Sequence, residues 1–367
     1  MKNRIIAIFF CVALLSGVVA GIVCQDRYYS ENERRTLTQL PDFSISSLFA
    51  GKFADELEKY LSDQFPARDS WITAKTIAER TLGKRESGGV YFAEDGYLID
   101  KFSSLDSERF KKNIAALKAF SEKTKELNIP VKTMLVPTAV EILSDKLPPF
   151  APKINQQSLI DYAKSQGLKV VDPTSSLRDH NNEYIYYKTD HHYTSLGAYY
   201  CYCAWKQSKG EAAEPISAWK KETLCDNFRG TSYAKVNYPF SPYDEITAYY
   251  KNEKHTVNYN SGDYIADSIY ERKHLAGKDQ YAVFLNSNQA QTVVKGAGNG
   301  KLLIIKDSYA NTFAQFVIDD YEETHLIDMR FYKKSVSEYI IENGITEVLI
   351  LYNIPNFASD MNISYIR

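Results

Sequence analysis

The chain has 367 residues, with 44 Lys and Arg against 46 Asp and Glu and a formal net charge of −2, so it lacks the sequence-wide basic field that would point to nucleic acid as the main partner. Hydrophobic residues at 44% and charged residues at 25% match an ordinary globular protein. Such a chain can bury a sizeable core without metals or disulfides, and the composition argues against extended disorder.

Lys2 and Arg4 precede an uncharged apolar stretch over residues 5–23. A helix of that length approaches the ~30 Å hydrocarbon thickness of a bilayer. Residues 1–25 therefore read as an export signal or a retained transmembrane anchor, and the leading positive charge predicts an N-in, C-out orientation. A buried N-terminal core helix is the alternative. Cys24 follows this stretch, but Val23 is bulkier than the small residue lipoprotein processing wants. Residues 26–100 are expected to form a linker and N-terminal helices packing on the core. A polar stretch over 25–41 leads to apolar spacings that predict amphipathic helices over 44–61 and 70–82, separated by the helix stop Asp63-Gln64-Phe65-Pro66. Val90-Tyr91-Phe92 and Tyr97-Leu98-Ile99, joined across Asp95-Gly96, predict a hairpin.

From residue 101 to 367 the pattern changes to alternating strands and helices. A helix over 105–127 feeds a buried strand over 131–136, and a helix over 155–165 feeds a strand over 168–171. Later come strands over 301–305, 324–327 and 347–352, with helices over 311–318 and 335–342. Continuous apolar strands separated by helices predict a central, mostly parallel sheet covered on both faces. Residues 206–295, rich in Tyr, Asn, Lys and Gly, interrupt the rhythm and are expected to be an irregular β insertion. Outside the N-terminal segment only Cys201, Cys203 and Cys225 remain. They make no zinc pattern, and either one of the first two pairs with Cys225 or all stay reduced.

Three short stretches could carry chemistry. Asp190-His191-His192, just before a helix expected near Thr194, offers a base with a carboxylate to orient it. A capping Asp with exposed histidines and a Mn or Zn site are the other readings. Ser308 follows the strand over 301–305 and opens a helix, so its hydroxyl would stand over the crevice at the carboxyl end of the sheet. Its plainer reading is an N-cap serine. Asn353 ends another buried strand at what should be the same edge.

These segments resemble the DHHW family of exported proteins and, through it, the alginate O-acetyltransferases AlgJ and AlgX. The resemblance rests on Ser30-Glu31-Asn32-Glu33-Arg34, Asp63-Gln64-Phe65-Pro66, Val136-Pro137-Thr138, Thr189-Asp190-His191-His192, Lys306-Asp307-Ser308-Tyr309-Ala310-Asn311 and Asp328-Met329-Arg330, in that order. It implies an α/β fold of the SGNH-hydrolase-like three-layer sandwich type, with the Asp/His pair preceding the serine strand. It further implies Ser308 as nucleophile, His192 as general base and Asp190 as its orienting carboxylate, with Asn353, Arg330 and Tyr309 as oxyanion or substrate-binding residues and no metal or other cofactor. Tyr193 stands where the family name has Trp, and Lys306 where simple SGNH esterases have Gly.

The implied activity is transfer of an acetyl group, through an acetyl-serine, to a secreted or cell-surface polysaccharide. The acetyl donor would be a multi-spanning membrane O-acyltransferase. The protein would be a single-pass membrane protein with an extracytoplasmic catalytic domain, or secreted if the N-terminal segment is cleaved. A polysaccharide acetylesterase, a non-catalytic glycan-binding scaffold of an export machine and a metal-dependent phosphoesterase built on Asp190-His191-His192 are the rivals. The last lacks an early Asp-x-Asp pair and a Gly-Gly-Gly-His segment.

Overall fold

The computed structural model describes residues 2–30 and 35–366, so all of the Ser30–Arg34 motif except Ser30 lies outside the described residues. The chain divides into two compact units, Met1–Gly88 with Ala234–Phe240, and Gly89–Tyr233 with Ser241–Arg367.

The first unit begins with α1 (Lys2–Val23), the one helix among the described residues long and apolar enough to cross a membrane. The amphipathic stretch over 44–61 is two helices, α2 (Ile45–Phe49) and α3 (Lys52–Asp63), because Gly51 takes a left-handed φ of 75° between them. α4 (Arg68–Thr81) follows the Pro66 stop. Asp63 closes α3 with a second task, accepting from both Arg35 guanidinium nitrogens at 2.6 and 2.8 Å and from the Thr38 N–H and hydroxyl at 2.9 Å each. A piece of the expected insertion joins this unit, since the Thr76 hydroxyl donates to the Val236 carbonyl at 2.7 Å.

The second unit opens on the hairpin of β1 (Val90–Phe92) and β2 (Leu98–Asp100), whose loop needs positive φ at Asp95 and Gly96. α5 (Ser107–Glu126) leads into β3 (Val131–Val136), and α6 (Gln156–Ser165) into β4 (Val170–Val171). After α7 (Ser195–Ser208) the insertion contributes a separate antiparallel pair, β5 (Lys220–Phe228) with β6 (Asp244–Tyr250). In the rest of it, among turns and short 3-10 segments, β7 (Val257–Tyr259), β8 (Tyr264–Ala266) and β9 (Gln291–Lys295) extend the main sheet in antiparallel fashion. Burial alternates along β7 and β9, and β8 is largely exposed, so these strands lack the continuous buried runs of the central ones.

β10 (Lys301–Lys306), α8 (Tyr309–Val317), β11 (Glu323–Ile327), α9 (Val336–Asn343) and β12 (Glu347–Asn353) then alternate, and α10 (Ile354–Ser359) follows. The result is a mixed α/β unit with an eight-stranded, mostly parallel sheet in the order β8-β7-β9-β11-β10-β12-β3-β4. Leu302–Ile305 and Val348–Leu351 are essentially inaccessible, so the sheet centre is the core. Register pairs Lys306 with Leu351 and Asn353 with Val136, which brings the carboxyl ends of β10, β12 and β3 to one edge.

Candidate active site

At that edge β10 turns into α8 through Asp307 and Ser308. Ser308 sits at the helix start with helical φ and ψ of −63° and −17°, and its side chain makes no capping hydrogen bond. Asp307 does the capping, accepting the Tyr309 N–H at 2.9 Å. The serine hydroxyl is thereby left for another partner. It lies 2.7 Å from Nε2 of His192, 116 positions earlier in the chain.

His192 comes from the turn before α7, where the Thr194 side chain caps the helix by accepting the Gly197 N–H. Its Nδ1 is 2.5 Å from Asp190 Oδ1, and the same oxygen accepts the His192 backbone N–H at 3.0 Å. Oδ2 of Asp190 accepts the Thr231 N–H at 2.7 Å and its hydroxyl at 3.0 Å. With both carboxylate oxygens occupied, the imidazole has one orientation and one Nδ1 partner. Gly230 makes this approach possible, since a Cβ there would lie 2.1 Å from that of Asp190. All three side chains are buried.

Tyr281 fixes the ring from its face, stacked at 3.8 Å and 11° on His192, while its hydroxyl donates to the Ser308 carbonyl at 3.1 Å. Tyr193 fills the place of the family's Trp as a buried ring against Tyr309, and its hydroxyl donates to the Tyr309 carbonyl at 2.7 Å. His191 turns away from the serine, with Nδ1 2.5 Å from the Thr231 hydroxyl.

Two residues expected to bind an oxyanion or substrate make hydrogen bonds within the fold. Asn353 reaches the right edge, but its Nδ2 donates to Asp307 at 2.7 Å and its Oδ1 caps α10 by accepting the Asn356 N–H at 2.9 Å. Tyr309 is fully buried, its hydroxyl spent on the His191 carbonyl at 2.6 Å. Arg330 is at this edge of the sheet, gripped by Asp328 through two contacts of 2.9 and 2.5 Å, with its side chain 36% exposed. Burial pulls its pKa down, and the Asp328 carboxylate more than reverses this, so it stays a cation.

Electrostatics concentrate at the same edge. Burial pushes the Asp307 carboxyl up, against hydrogen bonds from Asn356, Tyr309 and Asn353. Burial likewise pulls the Lys306 ammonium down to about 8, with Asp328 at 3.9 Å as its nearest carboxylate. Asp190, His191 and His192 each offer one metal-ligating atom, all within 4.8 Å of one another. The atoms a metal would take on Asp190 and His192 already carry the hydrogen bonds described above. Cys201, Cys203 and Cys225 are free thiols.

Asp307, Tyr281, Thr231 and Gly230 went unread in the sequence. Asp307 alone had a legible signal, a capping carboxylate two residues before the first N–H it accepts. The others depend on long-range approach.

The fold and the site define a mixed α/β protein with a hydroxyl, an imidazole and a carboxylate hydrogen-bonded in series at the carboxyl edge of its sheet. Residues 78–327, well over half of the chain, match the family described as DHHW protein, and the chain belongs to that family. A DHHW family protein from Eubacterium siraeum is similar at a TM-score of 0.66 and 26% identity, over 77% of this chain and 96% of that one. PatB1 of Bacillus cereus, solved with a sulfonyl adduct, is similar at a TM-score of 0.63 and 19% identity, over 76% and 100%. The O-acetyltransferase domain of Pseudomonas putida AlgJ shares the fold at a TM-score of 0.50 and 11% identity, over 76% and 96%. No curated protein sequence matches the chain.

Proposed function

We propose that this protein is an extracytoplasmic O-acetyltransferase that carries an acetyl group on Ser308 and passes it to hydroxyls of a secreted or cell-surface polysaccharide. The observation that carries this reading is the position of His192, with Nε2 2.7 Å from the Ser308 hydroxyl and Nδ1 2.5 Å from Asp190. A serine in a helix-start position that does not cap its helix, facing an imidazole whose other nitrogen is held by a buried carboxylate, has the parts of an activated nucleophile.

In the first half-reaction Ser308 Oγ adds to the carbonyl carbon of an acetyl ester as His192 Nε2 takes the hydroxyl proton. Asp190 stabilises the imidazolium. The tetrahedral intermediate collapses, the donor's alkoxide leaves with the proton held by His192, and acetyl-Ser308 remains. In the second half-reaction His192 takes the proton of a sugar hydroxyl as its oxygen attacks the acetyl carbon; the bond from that carbon to Ser308 Oγ then breaks and His192 returns the proton to the serine. Water in place of the sugar gives hydrolysis, the acetylesterase alternative.

Likeness to an O-acetyltransferase domain supports transfer, and the apolar helix Lys2–Val23 supports an anchor that leaves the second unit outside the cytoplasm. Acetyl-CoA is absent there, so a multi-spanning O-acyltransferase in the membrane is the fitting donor. The test compares cells carrying wild type and Ser308→Ala by the alkali-released acetate of their secreted and wall polysaccharides. Loss of acetate from one polymer in the variant identifies the acceptor, and unchanged acetate in all of them sinks the reading.

A further inference from the structure

The loop after Tyr281 holds three consecutive non-glycine residues in the left-handed region, Leu285, Asn286 and Ser287, with φ of 54°, 54° and 68°. Leu285 and Ser287 are disfavoured there, so the surroundings impose this path. The loop delivers Asn288 to the serine turn. Asn288 Oδ1 accepts from Lys306 Nζ at 3.2 Å and lies 3.4 Å from Asn311 Nδ2. Lys306 is two residues before Ser308 and Asn311 three after it, so the amide is held from both sides of the nucleophile.

A buried cation grips the carbonyl end, which holds the amide in place and strengthens its N–H groups as donors. Among the described residues no acceptor takes a hydrogen from Asn288 Nδ2, and none takes the Ser308 backbone N–H. Nearby, the Tyr309 N–H goes to Asp307, and so does one of the two Asn353 amide hydrogens. The lysine that stands where simple SGNH esterases have glycine acquires a purpose here.

We propose that Asn288 Nδ2, together with the Ser308 backbone N–H, binds the oxyanion that forms when Ser308 adds to the acetyl carbonyl, and that Lys306 is the positioning residue that aims Asn288. This rests on the acyl-serine reading above. As Oγ bonds to carbon, the carbonyl π pair moves onto oxygen, and Asn288 donates to that charge. The pair returns when the ester oxygen leaves. Lys306 exchanges no proton in either step.

The experiment uses the full-length protein in detergent with p-nitrophenyl acetate, and activity is expressed per folded molecule from thermal melting. Wild type is first checked for acetyl on Ser308, whose absence overturns both this proposal and the reading it rests on. Asn288→Ala is expected to lower kcat by roughly 10²–10³-fold with KM within about threefold of wild type. Asn288→Asp keeps the shape and the Lys306 contact but replaces the donor with an acceptor, and is expected to lose at least as much. Lys306→Met is expected to lower kcat about tenfold, and the double variant with Asn288→Ala to be no worse than Asn288→Ala alone within about threefold. A kcat near wild type in a folded Asn288→Ala or Asn288→Asp, or a loss confined to KM, overturns the assignment of Asn288. Additive losses in the double variant overturn the role of Lys306.

Discussion

β10 and β12 lie side by side, and each runs out at the same edge of the sheet into a polar residue at the start of a helix. At the end of β12, Asn353 caps α10 with its carbonyl oxygen and gives an amide hydrogen to Asp307, so both ends of its side chain serve structure. At the end of β10, Asp307 takes over the cap and the hydroxyl of Ser308 is left to His192. A polar residue at a helix start is a cap unless a neighbour relieves it. The difference between the two turns is made by one carboxylate that serves both.

Variants at the two turns should therefore fail in different ways. Ser308→Ala is expected to cost the most, roughly 10⁴-fold or more in turnover of p-nitrophenyl acetate with the melting temperature unchanged. An active Ser308→Ala enzyme would make the two turns alike. Asp307→Ala strands the Tyr309 N–H, the Asn353 N–H and the Asn353 and Asn356 amides that the carboxylate accepts. It is expected to cost roughly 3–5 kcal/mol by chemical denaturation and to lower kcat as well, because Ser308 becomes free to turn onto its own helix.

Lys306→Met separates stability from activity in the opposite sense. The folded pKa of about 8 lies below the ordinary lysine value, so between the two the unfolded chain binds more protons and stability rises with pH. Below about pH 8 the buried charge is a penalty, partly offset by Asp328 and Asp307 and deepened by Arg330. The variant is expected to gain about 1–3 kcal/mol over wild type at pH 7, and this gap should close as the pH is raised to about 10.5. A constant difference across that range, read by denaturant titration, would contradict the buried-charge account. Asn353→Ala is the mildest, with about 1–2 kcal/mol of stability lost and kcat within about tenfold. A loss of kcat as large as that expected for Asn288→Ala would return Asn353 to the oxyanion.

Much of the second unit was legible from local pattern. The apolar runs of β3, β10, β11 and β12 report burial on both faces, and the helices between them keep helical spacing. The antiparallel edge was not legible, because β7, β8 and β9 are short and half-exposed and their partners lie far along the chain. Asp190, His192 and Ser308 stood out as polar residues at segment junctions, and their juxtaposition follows from the sheet. Asn353 matches a donor by type and place in the sequence, but its bond to Asp307, 46 residues away, carried no local signal. Asn288 carried no signal, since its aim is set by a left-handed loop and a buried lysine.

The most direct test of the central claim is peptide mapping by mass spectrometry of the full-length protein quenched in acid during reaction with p-nitrophenyl acetate. The account predicts one acetyl group on Ser308, absent from Ser308→Ala and strongly diminished in His192→Ala. An unmodified Ser308 during turnover, or turnover with the acetyl group on another side chain, would contradict it.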